Sequence, residues 1–212
     1  MTRIKLINLL IEINKYKSYL EIGVNTPLQP GYSHDSIDIE TKHGVDPNVD
    51  TTYKVTSDEF FEKKVERKYD IIFIDGLHIF EQVYRDIVNS LKYLNENGTI
   101  VVHDCNPIKE ITQRRERASS VWHGDVWKAI LKLRIEEPNI VIYTVNTDEG
   151  CTIIRKGEQK LYKIEENIDP YNFNFFKSHK KEILNLISVK EFKQKLGIPF
   201  SWYEKMLNIF KK

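Results

Sequence analysis

Two short apolar runs joined by one amphipathic segment constrain this chain more than any other feature. Residues 71–74 and 99–102 are rich in β-branched side chains, the pattern of strands buried on both faces. Between them Ile79, Val83, Ile87, Leu91 and Leu94 recur at helical spacing, with Glu81, Arg85, Asp86 and Lys92 on the other side. Asn97-Gly98 is expected to end that helix. Strand, helix and strand in this order predict a right-handed crossover between parallel strands. Each strand runs out into polar residues, Asp75 and then His78 after the first, His103-Asp104 after the second. Ligands of an open parallel sheet bind beyond the carboxyl ends of its strands. Residues 69–107 therefore place two carboxylates and two imidazoles where a site is expected.

The flanking sequence extends the pattern. Residues 2–16 predict an amphipathic helix with Leu6, Leu10 and Ile13 on one side. Residues 18–22 predict a first strand that runs into Glu21-Ile22-Gly23-Val24-Asn25, an acid and a glycine where the backbone can turn closely around a ligand. Pro27, Pro30 and Gly31 leave room only for a short or irregular helix after it. Residues 42–46 are the next strand, and Asp46 stands where an acid usually meets a ribose diol, some 20 residues after the glycine turn. Residues 52–56 predict a third short strand, and Ser57 is expected to cap a helix whose first buried residues are Phe60 and Phe61. The polar stretch 108–120, with Arg114, Arg115 and Arg117, is a candidate lid over the strand ends. Gly124-Asp125 opens a helix that stops before Pro138, and residues 139–145 and 151–155 predict an antiparallel hairpin. From Gly157 onward lysines alternate with Phe173, Phe175, Phe176, Phe192, Trp202, Tyr203 and Phe210. The expected division is a core of residues 1–156 and a helical appendage of residues 157–212 that packs on the core or on a partner.

Composition removes several functions. Lys+Arg exceed Asp+Glu by 32 − 31 = 1, so no global field recruits nucleic acid or an acidic membrane. No apolar run approaches the roughly 20 residues of a membrane span, and polar residues Asn8, Glu12 and Asn14 interrupt the N-terminal stretch where a signal peptide would need continuity. Cys105 and Cys151 have no metal-ligand spacing and suggest no disulfide framework. The expectation is a soluble cytoplasmic protein.

With these residues in view, the sequence resembles the class I S-adenosylmethionine-dependent methyltransferases, and within them the small bacterial branch associated with sugar and polysaccharide modification. The resemblance runs over residues 19–155 and is carried by Leu20-Glu21-Ile22-Gly23-Val24, Gly44-Val45-Asp46-Pro47, Thr56-Ser57-Asp58-Glu59-Phe60-Phe61, Phe73-Ile74-Asp75-Gly76-Leu77-His78, Val102-His103-Asp104-Cys105 and Gly124-Asp125-Val126-Trp127. It implies a Rossmann-like α/β fold with helices on both faces of a seven-stranded sheet, mostly parallel with one antiparallel strand. It assigns Glu21 and Gly23 to the cofactor's methionine end, Asp46 to its ribose, Asp58 to its adenine and Asp75 to the sulfonium, and it counts Asn25, Ser57 and His78 among the cofactor-binding residues. The chain departs from the family after Gly23, where Asn25-Thr26-Pro27 replaces the usual second glycine.

The chemistry this implies is displacement at a methyl group, in which the protein aligns donor and acceptor and helps remove a proton. His78, His103 and Asp104 are the candidate catalytic residues. His78 serves as base, or else orients the loop and packs on the cofactor. Asp75, His103 and Asp104 are the candidate ligands of a magnesium- or manganese-like ion, the alternative being a metal-free site in which Asp104 binds the acceptor. The arginines of 108–120 read as a solvated loop, Cys105 and Trp127 as structural, and Trp122-His123 as open. The expected reaction is O-methylation of a saccharide or another small polyhydroxylated acceptor. Competing readings are an NAD-dependent oxidoreductase, disfavoured by the glycine spacing, and a non-catalytic cofactor-binding partner of a glycan-assembly complex. The aromatic C-terminal segment is the expected face for a second copy or a protein partner.

Overall fold

The computed structural model describes residues 1–28 and 32–198. The elements are α1 (Arg3–Asn14), β1 (Ser18–Ile22), β2 (Thr41–Val45), α2 (Ser57–Glu59) continuing into a π turn (Phe60–Lys64), β3 (Tyr69–Ile74), α3 (Phe80–Lys92), β4 (Leu94–Val102), α4 (Val126–Glu136), β5 (Ile140–Val145), β6 (Cys151–Lys156), α5 (Phe173–Ile183) and α6 (Val189–Lys195). The strands form one sheet in the order β2-β1-β3-β4-β6-β5. β2, β1, β3 and β4 pair in parallel, and β6 runs antiparallel to both β4 and β5. This is the expected mixed sheet, with helices on both faces.

Six described strands stand where seven were expected, and the difference lies at residues 52–56. Only Tyr53 pairs there, in a single parallel bridge to Val45. Its N–H reaches Gly44 O and its carbonyl takes the N–H of Asp46, so a one-residue ladder replaces the strand. The cap of α2 also moves: Thr56, rather than Ser57, accepts the Glu59 N–H at 3.2 Å. Ile13, expected with Leu6 and Leu10, is 36% exposed, while those two are fully buried.

The crossover forms as read, except at its end. α3 stops at Lys92, and Leu94 already pairs with Tyr69 as the first residue of β4. Asn97-Gly98 therefore lies inside a strand irregularity between Tyr69 and Ile71, not at a helix end. A Cβ on Gly98 would stand 2.8 Å from Asp70 O, so the glycine serves a close backbone approach. Asp70 holds the same corner by accepting from Asn95 Nδ2 at 2.6 Å and from Ser18 Oγ at 2.9 Å.

Apolar side chains cover both faces of the sheet. On one side α3, α4 and α5 bring Val83, Ile87, Trp127, Ile130 and Phe176 onto Leu20, Ile72 and Ile100. On the other, α1 brings Leu6, Ile7 and Leu10 onto Tyr19, Ile71 and Val101, together with Phe192 of α6. The C-terminal helices thus contribute to both layers. Phe176 packs on Trp127 with ring centroids 4.3 Å apart. The chain then passes along the β5 edge, where Thr144 N–H donates to Leu184 O and Ile187 N–H to Thr144 O. That pairing covers an edge that would otherwise present unpaired backbone. Trp202, Tyr203 and Phe210 lie outside the described residues, as do Pro30 and Gly31. Among the described residues no helix is long and apolar enough to cross a membrane.

Candidate active site

Register alone builds the site. Ile22 pairs with Val45 and with Ile74, and Ile74 pairs with Val102, so three strands end level with one another beside β2. The next residues, Gly23, Asp46, Asp75 and His103, form a row along the carboxyl edge. Backbone bonds extend the ladder through this row, Gly23 N–H to Val45 O, Asp75 N–H to Ile22 O and His103 N–H to Ile74 O. Above it opens a cavity of about 790 Å³, lined by Glu21, Gly23, Asn25, Asp46, Ser57, Asp58, Asp75, His78, His103 and Asp104. All the residues assigned to cofactor and chemistry are brought to one cavity.

Its floor is a compact ion cluster. His103 Nδ1 lies 3.2 Å from Asp75 Oδ1 and 3.3 Å from Asp104 Oδ1. His78 Nε2 is 3.3 Å from Asp75 Oδ1, and its Nδ1 is 3.3 Å from Asp104 Oδ2. Burial by itself would push the His103 imidazolium to lose its proton, but Asp75 and Asp104 outweigh it and hold its pKa up at about 10. His78 is likewise raised, burial being overcome by Asp75 and Asp104. Burial would raise the Asp75 carboxyl, yet His103 and His78 hold it well below the usual carboxylate range. His103 is the cation that balances the two acids, Asp75 and Asp104.

Local backbone fixes the cluster. Asp104 takes a left-handed conformation, φ 58°, which aspartate tolerates better than most residues. The next residues dock on the β5–β6 loop through Cys105 N–H to Gly150 O and Asn106 N–H to Glu149 O. His78 is held from the α4 side. Gly124, at φ 57°, runs so close that a Cβ there would lie 1.7 Å from His78 O. Asp125 caps the start of α3 by accepting the Phe80 N–H at 2.7 Å. Trp122 stacks on His78 with centroids 5.1 Å apart and lines the cavity.

The residues assigned to the cofactor differ in how they are held. Glu21 is 2% exposed and accepts from Tyr19 OH at 2.8 Å and Ser33 Oγ at 3.0 Å, with His34 Nδ1 at 2.7 Å. These three partners fix its carboxylate at the cavity wall. Asp46 Oδ1 accepts the N–H groups of Asn48 and Val49, which locks its carboxylate. Asp58 is half exposed and pairs with Arg85 at 3.2 Å, so part of its capacity is spent within the protein. Cys105 is buried and its thiol is pushed up to about 12 by that burial, which leaves it structural. Trp127 is core as read, and His123 is buried against Glu149 at 2.8 Å. Arg115, read as solvated, pairs with Glu81 at 2.8 Å and Asp125 at 3.2 Å, tying the 108–120 stretch to α3 and α4. Arg117 and Ser120 of that stretch reach the cavity wall.

Arg3, Gln82 and Asp86 line the cavity although the reading of the sequence gave them no part in it, and Trp122, left open there, lines it too. Asp86 was placed on the outer side of α3, yet it is 1% exposed. It lies one helical turn after Gln82, whose Nε2 donates to Asp86 Oδ1 at 3.0 Å and to Ser57 Oγ at 3.1 Å. That spacing puts both on one face, which was the available signal. Burial raises the Asp86 carboxyl to about 6, from an ordinary 3.8. The folded state thus binds this proton more readily than the unfolded chain, and ionised Asp86 costs stability above pH 6. Asp86→Asn is expected to stabilise the fold by about 3 kcal/mol at pH 8. The gain should fade as pH drops through 6 and vanish near 4. Urea titrations at the two pH values check it, and a variant no more stable at pH 8 would refute it.

The sheet with its single antiparallel strand, its helices on both faces and its site across the strand ends is the class I methyltransferase fold. The comparisons agree. Residues 17–105 match the family model of a methyltransferase domain. A Staphylococcus aureus protein assigned as a caffeoyl-CoA O-methyltransferase is 23% identical, with a TM-score of 0.54 over 73% of this chain and 82% of that one. The Podospora anserina methyltransferase PaMTH1, bound to S-adenosylhomocysteine, is 19% identical with a TM-score of 0.51 over 74% and 78%. The Bacillus cereus O-methyltransferase in complex with S-adenosylhomocysteine is 14% identical, with a TM-score of 0.50 over 73% and 80%. No curated protein matches the chain. The match to a methyltransferase domain covers residues 17–105, and the solved structures share the fold of the chain.

Proposed function

We propose that the chain transfers the methyl group of S-adenosylmethionine to a hydroxyl of a saccharide or another small polyhydroxylated acceptor. One observation carries this reading: Asp75, His78, His103 and Asp104 converge on the floor of the same cavity that presents Gly23, Asp46 and Asp58. In this reading residues 1–156 hold the cofactor and the chemistry, and residues 157–212 are the helical appendage that braces them. The methionine end lies toward Glu21, Gly23 and Asn25, the ribose on Asp46, and the adenine toward Ser57 and Asp58. Trp122, stacked on His78 at the cavity wall, offers a face for a sugar ring.

The acceptor hydroxyl must lose its proton as the methyl arrives. His103, held at about 10, is protonated at neutrality and acts as counter-ion to the two acids rather than as base. His78 is the group in position for proton removal. A divalent ion is the second route to the same end. The carboxylates of Asp75 and Asp104 and an imidazole nitrogen of His78 all lie within 4.8 Å of one another. Two hard oxygen donors and one nitrogen suit a magnesium- or manganese-like ion, with His78 in the place that the sequence reading gave to His103. These three residues would hold the ion, which would supply Lewis-acid activation of the hydroxyl.

Labelled S-adenosylmethionine incubated with nucleotide sugars, free glycans and small catechol-like acceptors tests the proposal. Transfer to a saccharide hydroxyl is expected, and transfer to catechols alone would overturn the acceptor class. Cofactor binding is tested separately. Asp46→Ala should weaken S-adenosylhomocysteine binding by about 1.5–3 kcal/mol per charge-assisted bond lost. Calorimetry showing tight NAD binding, or no effect of Asp46→Ala, would remove the cofactor assignment.

A further inference from the structure

The cavity wall carries a cation that this chemistry does not use. Arg3 opens α1, and its side chain lines the cavity together with Glu21, Gly23 and Asp75. That side chain is 14% exposed, with Nε 3.8 Å from Asp75 Oδ2 and Nη1 3.3 Å from Asp148 Oδ2. The Arg3 backbone N–H donates to the same Asp148 oxygen at 2.5 Å. Asp148 therefore grips both ends of the residue. Its own backbone is left-handed, φ 46°, in the tight β5–β6 loop that also receives Cys105 and Asn106. α1 in turn is anchored by Leu6, Ile7 and Leu10, each fully buried. The guanidinium is thus aimed by a rigid helix on one side and a rigid loop on the other.

The charge around it says what it faces. Glu21 and Asp75 line the cavity beside Arg3 and offer carboxylates to an ammonium group. An amino-acid zwitterion carries an ammonium and a carboxylate on one carbon, so the carboxylate needs a cation beside those acids, and Arg3 lines the cavity there. A guanidinium presents N–H donors in a planar fork that matches a carboxylate. Arg3 stands beside the β1 turn to which the methionine end is assigned.

We propose that Arg3 receives the α-carboxylate of the cofactor's methionine moiety, making the N-terminal helix part of the cofactor site. The inference rests on the S-adenosylmethionine reading above. Calorimetry with S-adenosylhomocysteine and with its decarboxylated analogue, which keeps the amine and lacks only the carboxylate, tests it. The wild-type chain should prefer S-adenosylhomocysteine by about 10- to 100-fold. Arg3→Met should lose that preference, weakening S-adenosylhomocysteine by the same factor while changing the analogue by less than about threefold. Arg3→Lys should recover part of the preference, since it restores charge without the fork. Wild-type chain that binds both ligands equally would overturn the proposal. So would equal weakening of both ligands by Arg3→Met, which marks a residue that merely anchors the helix. If Arg3→Met does not fold, the wild-type comparison and Arg3→Lys still decide. A wild-type chain that binds neither ligand would refute the cofactor reading itself, an outcome distinct from equal binding of the two.

Discussion

Gly23→Ala is expected to destabilise the fold by about 3–5 kcal/mol and to reduce S-adenosylhomocysteine binding by more than about 100-fold. Gly23 sits at φ 88°, where an L side chain is strained wherever it points. Space is also lacking. A Cβ there would lie 2.3 Å from Gly76 Cα and 2.5 Å from both Asp75 O and Gly76 N. All three are backbone atoms, so no side chain can swing aside. The β1 turn would have to part from the β3 turn, breaking Asp75 N–H to Ile22 O. That bond aligns Asp75 in the row of site residues, so Asp75 would move with it. Gly76→Ala is the control, because its Cβ would meet nothing closer than Ile22 O at 3.6 Å. It should change stability by less than about 1 kcal/mol. Urea melts and calorimetry on both variants check this, and two variants of equal stability would refute the close-approach argument.

Much of this arrangement was legible because buried parallel strands announce where they end. The apolar runs of β3 and β4 stop at Asp75 and at His103-Asp104, and register then brings those residues side by side. The crossover, the final hairpin and the row of residues along the strand ends followed from that. What escaped depends on partners distant in sequence. Arg3 reaches the site only because α1 packs on the sheet and meets Asp148, 145 residues away. Asp86 lies on a helix side that reads as polar, and α2 with its Ser57 buries it. The Asn97-Gly98 pair is turn chemistry wherever it falls, and only the pairing of Tyr69 with Leu94 turns it into a strand irregularity. Residues 52–56 have strand-like composition, but a single bridge is all that β2 offers them. His78 and His103 were not separable as base and counter-ion by spacing alone. Both rings touch both acids and line the cavity. The roles proposed for them differ because His103 is 7% exposed and held protonated, whereas His78 stacks on Trp122 at the cavity wall.

His78→Ala should then lower turnover by about 10²–10⁴-fold, the usual contribution of general-base help, with S-adenosylhomocysteine affinity nearly intact. The argument is geometric before it is electrostatic. His78 bridges Asp75 at 3.3 Å and Asp104 at 3.3 Å, and its ring stacks on Trp122 at the wall of the cavity. His103 touches the same two acids but is 7% exposed, and it keeps its proton up to about 10. His103→Ala should therefore act through the charge of Asp75, weakening the fold as well as the rate, since it leaves a buried carboxylate short of a counter-ion. His78→Ala should leave the thermal midpoint within a few degrees. If a divalent ion activates the hydroxyl instead, chelation should abolish activity, added magnesium or manganese should restore it, and Asp104→Asn should reproduce the loss. The two routes separate in the His78→Ala variant. A base mechanism leaves it insensitive to chelator, whereas an ion mechanism leaves a residual rate that added metal raises, because Asp75 and Asp104 remain as ligands. Full activity in His78→Ala under chelation would exclude both and leave the strand-end acids with a purely positioning role.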